Sequence, residues 1–269
     1  MPLTLITRGP KHGQCNICGD VGPLTEDHTP PKGCIRPTAM TLQHVASRLS
    51  AERAYAAKAN DGVKYRTLCA RCNNGFLGGR YDQALIDFVN EVAGLLASNL
   101  TLPNKLWIPA KPGRIVRAVW GHLSAVGVDR YPKGSDTEAF RDFFFDESVP
   151  IPSGVHVYYW VYPYRRQVLI RDAVITDMRG PAHATYWLMK FYPVAFAVWR
   201  PEGKFGLNFR DLAGLCTSTP DAVAEVEVEL SKLPPELWLE APTDTQAIMY
   251  GRDSIVADRR PPRGVVLKV

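Results

Sequence analysis

The middle of the chain carries apolar residues at helical spacing. Leu85, Phe88, Val92 and Leu95 recur with the period of an amphipathic helix. The same criterion predicts helices over residues 81–98, 114–126 and 136–146. The earlier segment 38–59 has weaker periodicity, but its content of Ala, Leu, Arg and Glu favours an inserted helix.

The second half of the chain follows a different pattern. Short segments dense in Val, Ile, Tyr, Trp and Phe are separated by Pro and Gly, as in the strands of an antiparallel sheet. These predicted strands cover residues 155–162, 167–176, 184–199, 204–209 and 246–257. A strand is also expected at 63–68, a connector at 101–113 and a helix at 221–233. We therefore predict an α+β protein, with one module in residues 1–100 and an α+β region of unassigned role in residues 101–269.

Composition places the chain among ordinary globular proteins. Of its 269 residues, 46% are hydrophobic and 22% are charged. No apolar run approaches the roughly 18 residues that a bilayer-spanning helix needs. The first eleven residues also lack the apolar stretch of a secretory signal. We expect a cytoplasmic protein without a membrane partner.

Positive charge is concentrated in the N-terminal third. Residues 1–80 contain eleven Lys and Arg against five Asp and Glu, a surplus of six. The totals are 32 and 27, so the rest of the chain carries 21 against 22. A basic surface there would attract a polyanion such as nucleic acid. A solvated face without a partner would have the same composition.

Four of the six cysteines form two pairs with identical spacing. Cys15 and Cys18 form the first Cys-x-x-Cys pair, and Cys69 and Cys72 form the second. In a reducing compartment, such pairs bind metal more often than they form disulfides. Two pairs of this spacing can place four thiolates in a tetrahedron, so the sequence predicts a structural Zn²⁺ site.

Residues suited to catalysis lie between and beside the two cysteine pairs. Asp27 and His28 are adjacent, and Asn73 directly follows the second pair. A carboxylate and a carboxamide oxygen can bind a hard divalent ion such as Mg²⁺ or Mn²⁺, which keeps several waters. The imidazole then stays free to take a proton from an attacking water. Alternatively, His28 is structural and Asn73 caps a helix.

The order of these residues resembles a known nuclease family. The chain is similar over residues 12–80 to the HNH (ββα-metal) endonuclease superfamily, and most of all to the four-cysteine zinc branch that includes phage endonuclease VII. The positions that carry the resemblance are Cys15, Cys18, Asp27, His28, Cys69, Cys72 and Asn73. The resemblance implies a β-hairpin followed by a helix, one catalytic divalent metal and hydrolysis of phosphodiester bonds. It also implies that Asp27 and Asn73 bind that metal and that His28 is the general base.

Two features depart from the family pattern. The stretch from His28 to Cys69 is long, and the middle asparagine of the HNH triplet has no clear counterpart except Asn60. We expect a metal-dependent endonuclease that acts on nucleic acid, with double-stranded DNA favoured and a homodimer left open. By analogy alone, a bacterial defence setting suits such an architecture.

Two other hypotheses use the same cysteines. The first is a zinc-ribbon-like structural or nucleic-acid-binding module without catalysis, which has no need of Asp27, His28 or Asn73. The second is a thiol-based redox switch, which one tightly bound zinc per chain would contradict.

Overall fold

The computed structural model describes residues 5–50, 56–202 and 205–260, and their helices and antiparallel sheets confirm an α+β protein. The strands are β1 (His12–Gln14), β2 (Val21–His28), β3 (Met40–His44), β4 (Ala57–Ala59), β5 (Lys64–Cys69), β6 (Lys105–Ala110), β7 (His156–Val161), β8 (Gln167–Asp177), β9 (His183–Phe191), β10 (Val194–Glu202), β11 (Arg210–Asp211), β12 (Ala224–Glu229), β13 (Gln246–Met249) and β14 (Ile255–Arg259). The helices are α1 (Val45–Leu49), α2 (Asp82–Leu96), α3 (Pro112–Ala125) and α4 (Ser135–Phe145). A π-helical segment (Arg71–Tyr81) runs directly into α2, and a 3-10 turn covers Ala213–Leu215. No helix within these described ranges is long and apolar enough to cross a membrane.

Antiparallel pairing arranges the described strands in three sheets. The first is small and has the order β1-β2-β5. The second has nine strands in the order β11-β7-β10-β9-β8-β14-β3-β4, with β13 also paired to β8. The third consists of β6 and β12. The residues expected to bind metal lie on the small sheet, in the β1–β2 turn and in the π-helical segment that follows β5. The nine-stranded sheet belongs mainly to the second half of the chain.

The segment 38–59 differs from the single helix that its composition suggested. It forms β3, the five-residue helix α1 and β4, while residues 51–55 lie outside the described residues. Met40 and Leu42 are buried on alternate positions of β3, which pairs with β14. Buried side chains in β3 therefore recur every second residue, because this segment packs as part of a sheet. As a result, strands from both sides of the boundary expected near residue 100 share the nine-stranded sheet.

Other expectations from the second half of the chain need similar corrections. The segment 184–199, predicted as one strand, forms the two strands β9 and β10, and the chain turns between them at Tyr192 and Pro193. The segment 246–257 likewise divides into β13 and β14. Only the two-residue β11 forms close to 204–209, although residues 203 and 204 are not described. The helix expected at 221–233 is wrong, because the alternating sequence of β12 buries Val226 and Val228 against β6.

The helices predicted in the middle of the chain are confirmed. Leu85, Phe88 and Val92 of α2 are buried in the main core, as their spacing predicted. Helix α3 is buried along its whole length and packs against α2, the π-helical segment, β2, β5, β8 and β9. It therefore lies between the small sheet and the nine-stranded sheet and contacts both.

Two buried polar side chains bind the carbonyl groups at the C-terminal end of α3. Asn16, which lies between the first two cysteines, donates to the carbonyl oxygens of Ser124 and Gly127 at 3.1 and 2.8 Å. Arg171 of β8 donates to the carbonyl oxygens of Ser124, Val126 and Arg130 at 2.7–2.9 Å. Helix ends leave carbonyl groups without intrahelical partners, and here the two sheets supply the donors. The end of α3 thus joins the cysteine-bearing loop to the large sheet.

The contribution of this junction can be measured by substitution of Asn16. Replacing it with alanine removes the side-chain partner of the Gly127 carbonyl and of the Arg130 amide, which donates to Asn16 Oδ1 at 3.0 Å. The Ser124 carbonyl loses one of its two side-chain donors and keeps Arg171. We expect Asn16→Ala to lower the free energy of unfolding by about 1–3 kcal/mol in urea titrations. The exposed Asn74 provides the control, since Asn74→Ala should change it by no more than about 0.5 kcal/mol. Equal effects of the two substitutions would contradict the assigned role of Asn16.

Candidate metal centre and active site

The four paired cysteines form one compact cluster, as their spacing predicted. Their Sγ atoms all lie within 4.8 Å of one another, and the Cys18 and Cys69 sulfurs are 3.7 Å apart. A tetrahedron with Zn–S bonds of about 2.3 Å has edges of about 3.8 Å. Cys15 and Cys72 are buried, whereas Cys18 and Cys69 are partly exposed. The residue types and distances fit a four-thiolate zinc ion.

Backbone geometry explains the first cysteine pair. The chain reverses between β1 and β2, where Gly19 donates to the Cys15 carbonyl at 3.0 Å and Cys15 donates to the Asp20 carbonyl at 2.9 Å. Gly19 adopts a φ of +80°, a region that favours glycine. A Cβ atom at this position would also lie 2.5 Å from the Tyr131 ring. The positive φ therefore favours glycine after Cys18, and a larger residue would also displace the Tyr131 ring.

The second cysteine pair lies where a strand passes into a helix. Cys69 is the last residue of β5, and Cys72 follows in the π-helical segment. The Cys69 amide donates to Cys15 Sγ at 3.3 Å, which connects the two pairs directly. The cluster therefore fixes the start of this helix against the β1–β2 turn.

The proton affinities of the thiols depend on one another. Hydrogen bonds from Cys18 and Cys72 lower the pKa of Cys15 to about 2. The hydrogen bond between Cys18 and Cys15 raises the pKa of Cys18 to about 12. The hydrogen bond between Cys72 and Cys15 likewise raises the pKa of Cys72. One thiolate is thus stabilised by its neighbours, but further ionisation places like charges together. A bound cation removes this conflict, which is the chemistry that a Zn²⁺ ion would supply.

His28 ends β2 and is partly shielded from solvent. Its Nε2 atom lies 3.5 Å from Asp61 Oδ2, and Asp61 also pairs with Lys64 at 2.8 Å. Burial, followed by the charges of Lys32 and Lys64, lowers the pKa of His28, while Asp61 opposes this shift. The imidazole is therefore neutral near pH 7, the form in which it can accept a proton.

Asn73 connects the helical segment to β2. Its Nδ2 group donates to Thr25 Oγ1 at 2.9 Å and to the Glu26 carbonyl at 3.1 Å. The side chain is thus held beside the peptide that leads into Asp27. Because both hydrogen bonds use Nδ2, the carboxamide oxygen remains available as a ligand for a cation.

Asp27 points into the protein, where it meets a histidine that sequence reasoning missed. The residue is 5% exposed, and Oδ2 accepts hydrogen bonds from His122 Nδ1 at 2.9 Å and Thr29 Oγ1 at 3.3 Å. The other imidazole nitrogen, Nε2, lies 2.8 Å from Asp82 Oδ1. Burial alone would lower the pKa of His122, but Asp27 and Asp82 outweigh it and raise the pKa to about 10. His122 is therefore an imidazolium that donates to both carboxylates.

The three predicted active-site residues are brought together only in part. Asn73 contacts the Glu26 carbonyl, and Asp27 is the next residue in the chain. Side chains of neighbouring strand residues point to opposite faces of a sheet. His28, which follows Asp27, therefore lies beside Asp61 instead. Within the described residues, no hydrogen bond joins His28 to Asp27 or Asn73. The Asn60 side-chain oxygen accepts a 2.6 Å hydrogen bond from Arg260. The Asn60 side chain is therefore engaged by Arg260 rather than by the cysteine cluster.

Metal content gives a direct check of the cysteine cluster. We expect elemental analysis of the purified chain to find one zinc ion per molecule, and Cys72→Ser to lose it because a hydroxyl replaces a buried thiolate. Loss of zinc should also lower the thermal unfolding temperature. Cys216→Ser is the matched control, since the Cys216 thiol donates to the Leu212 carbonyl outside the cluster and zinc should be retained. Full zinc occupancy in Cys72→Ser, or a disulfide in place of zinc, would contradict this assignment.

Comparisons with known proteins provide no relative for this chain. No protein-family model matches the sequence, and no curated protein or solved structure is significantly similar to it.

Proposed function

We propose that the protein is a metal-dependent endonuclease that hydrolyses phosphodiester bonds, with a zinc ion in the four-cysteine cluster. The observation that supports this most is the contact between Asn73 and β2. The cysteine cluster holds the helical segment against the antiparallel pair of β2 and β5, and Asn73 then binds β2 just before Asp27 and His28. The resemblance to HNH nucleases implies a β-hairpin followed by a helix, and here an antiparallel strand pair with β3, α1 and β4 inserted between its strands precedes the helical segment.

His28 is the proposed general base. Its lowered pKa keeps the ring neutral near pH 7, and Asp61, 3.5 Å from Nε2, can stabilise the positive charge that develops on proton transfer. A water oxygen attacks phosphorus as its proton passes to the imidazole. The P–O3′ bond breaks with its electron pair on O3′, and a solvent water protonates that oxygen, which leaves a 3′-hydroxyl and a 5′-phosphate.

Asp27 and Asn73 are the proposed protein ligands of a catalytic Mg²⁺ or Mn²⁺. Both hydrogen bonds to the Asp27 carboxylate are accepted by Oδ2, and both from Asn73 are donated by Nδ2. One oxygen of each side chain is thus left for a hard cation, which needs few protein ligands because it retains water. Such an ion neutralises negative charge on the phosphate and on the leaving oxygen.

Nucleic acid is the proposed substrate, and double-stranded DNA is favoured. Lys32 and Lys64 act electrostatically on His28, so two positive charges lie near the proposed base in addition to the Asp61 carboxylate. The charge surplus of the chain also lies in residues 1–80, which contain this site. Phosphate groups would be attracted there, and binding should weaken as salt concentration rises.

A zinc-ribbon-like binding module without catalysis is the second candidate. The near-complete burial of Asp27 favours this alternative, since the carboxylate is held away from solvent. Such a module would bind nucleic acid through its basic surface and would have no need of His28.

Plasmid cleavage separates the two functions. Supercoiled plasmid is incubated with the zinc-loaded protein in Mg²⁺ or Mn²⁺, with EDTA as the metal-free control. We expect His28→Ala to lower the nicking rate by roughly 10²–10⁴-fold, the usual contribution of a general base, without loss of zinc. His183→Ala is the matched control, because His183 is exposed at the start of β9 and should retain the wild-type rate.

Each outcome of this experiment has a defined meaning. Equal cleavage by wild type and His28→Ala would refute the role of His28 as base. A folded, zinc-loaded wild type that retains DNA in gel-shift assays but never cleaves it would support the binding module. Parallel reactions with single-stranded DNA and RNA would identify the substrate class.

A further inference from the structure

The buried Asp27–His122–Asp82 cluster has properties that neither the cysteine cluster nor the proposed general base explains. His122 is fully buried in α3, and each of its ring nitrogens lies within 2.9 Å of a carboxylate oxygen. Two carboxyl groups and one imidazole thus occupy the region where α3 meets β2 and α2.

The contacts of this cluster determine how the Asp27 carboxylate is oriented. His122 and Thr29 both donate to Oδ2, so rotation of the carboxylate would break two hydrogen bonds. Oδ1 has no hydrogen-bond partner among the described residues. Groups that orient a metal-binding side chain typically change metal affinity by 10–100-fold when they are removed.

We propose that His122 is a positioning residue, which holds Asp27 so that Oδ1 is presented to the catalytic divalent ion. This inference rests on the proposed function, because it requires that Asp27 bind the ion. His122 touches neither the substrate nor the ion, and it acts only through Asp27. It comes from α3, so the proposed metal site depends on a helix outside residues 12–80, the segment that resembles HNH nucleases.

Direct measurement of Mn²⁺ binding tests this role without reference to activity. The zinc-loaded protein is titrated with Mn²⁺, and free Mn²⁺ is followed by electron paramagnetic resonance. Removal of His122 alone would leave the buried Asp27 and the partly buried Asp82 without the imidazole that lies between them, so the substitutions are made in an Asp82→Asn background. The carboxamide oxygen introduced by Asp82→Asn can still accept from His122 Nε2, and the His122–Asp27 contact is untouched. The single variant Asp82→Asn is therefore the matched control.

We expect Asp82→Asn to bind Mn²⁺ within about threefold of wild type. The double variant with His122→Leu should raise the dissociation constant by roughly 10–100-fold. The corresponding double variant with His122→Gln keeps an N–H donor for Asp27 and should recover most of the lost affinity. Zinc content and near-ultraviolet circular dichroism establish that each variant is folded.

The outcomes distinguish failure of this inference from failure of the proposed function. The positioning role is overturned if the folded His122→Leu double variant binds Mn²⁺ as tightly as the Asp82→Asn control. It is also overturned if the folded His122→Gln double variant recovers none of the lost affinity. If the His122→Leu double variant loses zinc or fails to fold, the His122→Gln double variant alone decides: affinity near that of the control supports the role, and a full 10–100-fold loss overturns it. If Asp27→Asn binds Mn²⁺ as wild type does, then Asp27 is not a ligand, and the proposed metal site fails together with this inference.

Discussion

The four-cysteine cluster is the constraint on which the proposed site depends. It brings the turn between β1 and β2 into contact with the junction between β5 and the π-helical segment. Cys18 and Cys69, one from each place, are 51 residues apart in the sequence. Zinc coordination in small peptides is worth about 10–16 kcal/mol. That is comparable with the whole free energy of unfolding of a typical domain, about 5–15 kcal/mol. The short strands around the cluster could therefore depend on the ion for their order, and Asn73 would reach β2 only while the cluster is intact.

Helix α3 connects the region around the cysteine cluster to the rest of the molecule. At its C-terminal end, Asn16 from the cysteine loop and Arg171 from β8 both bind the Ser124 carbonyl. Within the same turn of the helix, His122 reaches Asp27 in the small sheet. The same helix thus contacts the metal-binding loop, the proposed active site and the large sheet. Helix α3 therefore joins Asp27 to β8 through direct hydrogen bonds.

Sequence reasoning succeeded where a pattern has one physical cause. The cysteine spacing predicted the cluster, and the apolar spacing from Leu85 to Val92 predicted α2, because both follow from local geometry. It failed for β3 and β12, whose alternating residues look helical in composition but are stabilised by pairing with distant strands. His122 gave no signal, since a single histidine within an apolar helix usually belongs to the core. Its partners lie 95 and 40 residues away, and only the fold brings them together.

The Asp27–His122–Asp82 cluster also bears on the choice between an enzyme and a binding module. Burial of charged groups costs desolvation energy that their mutual attraction only partly returns, and apolar replacements of similar volume are often as stable or more stable. A module that needs only four cysteines gains little from such a cluster at the end of β2. The cost is easier to understand if the carboxylate of Asp27 has a task that requires one fixed orientation. Binding of a divalent ion beside Asn73 is such a task, and the buried histidine is then part of the active site rather than of the core alone.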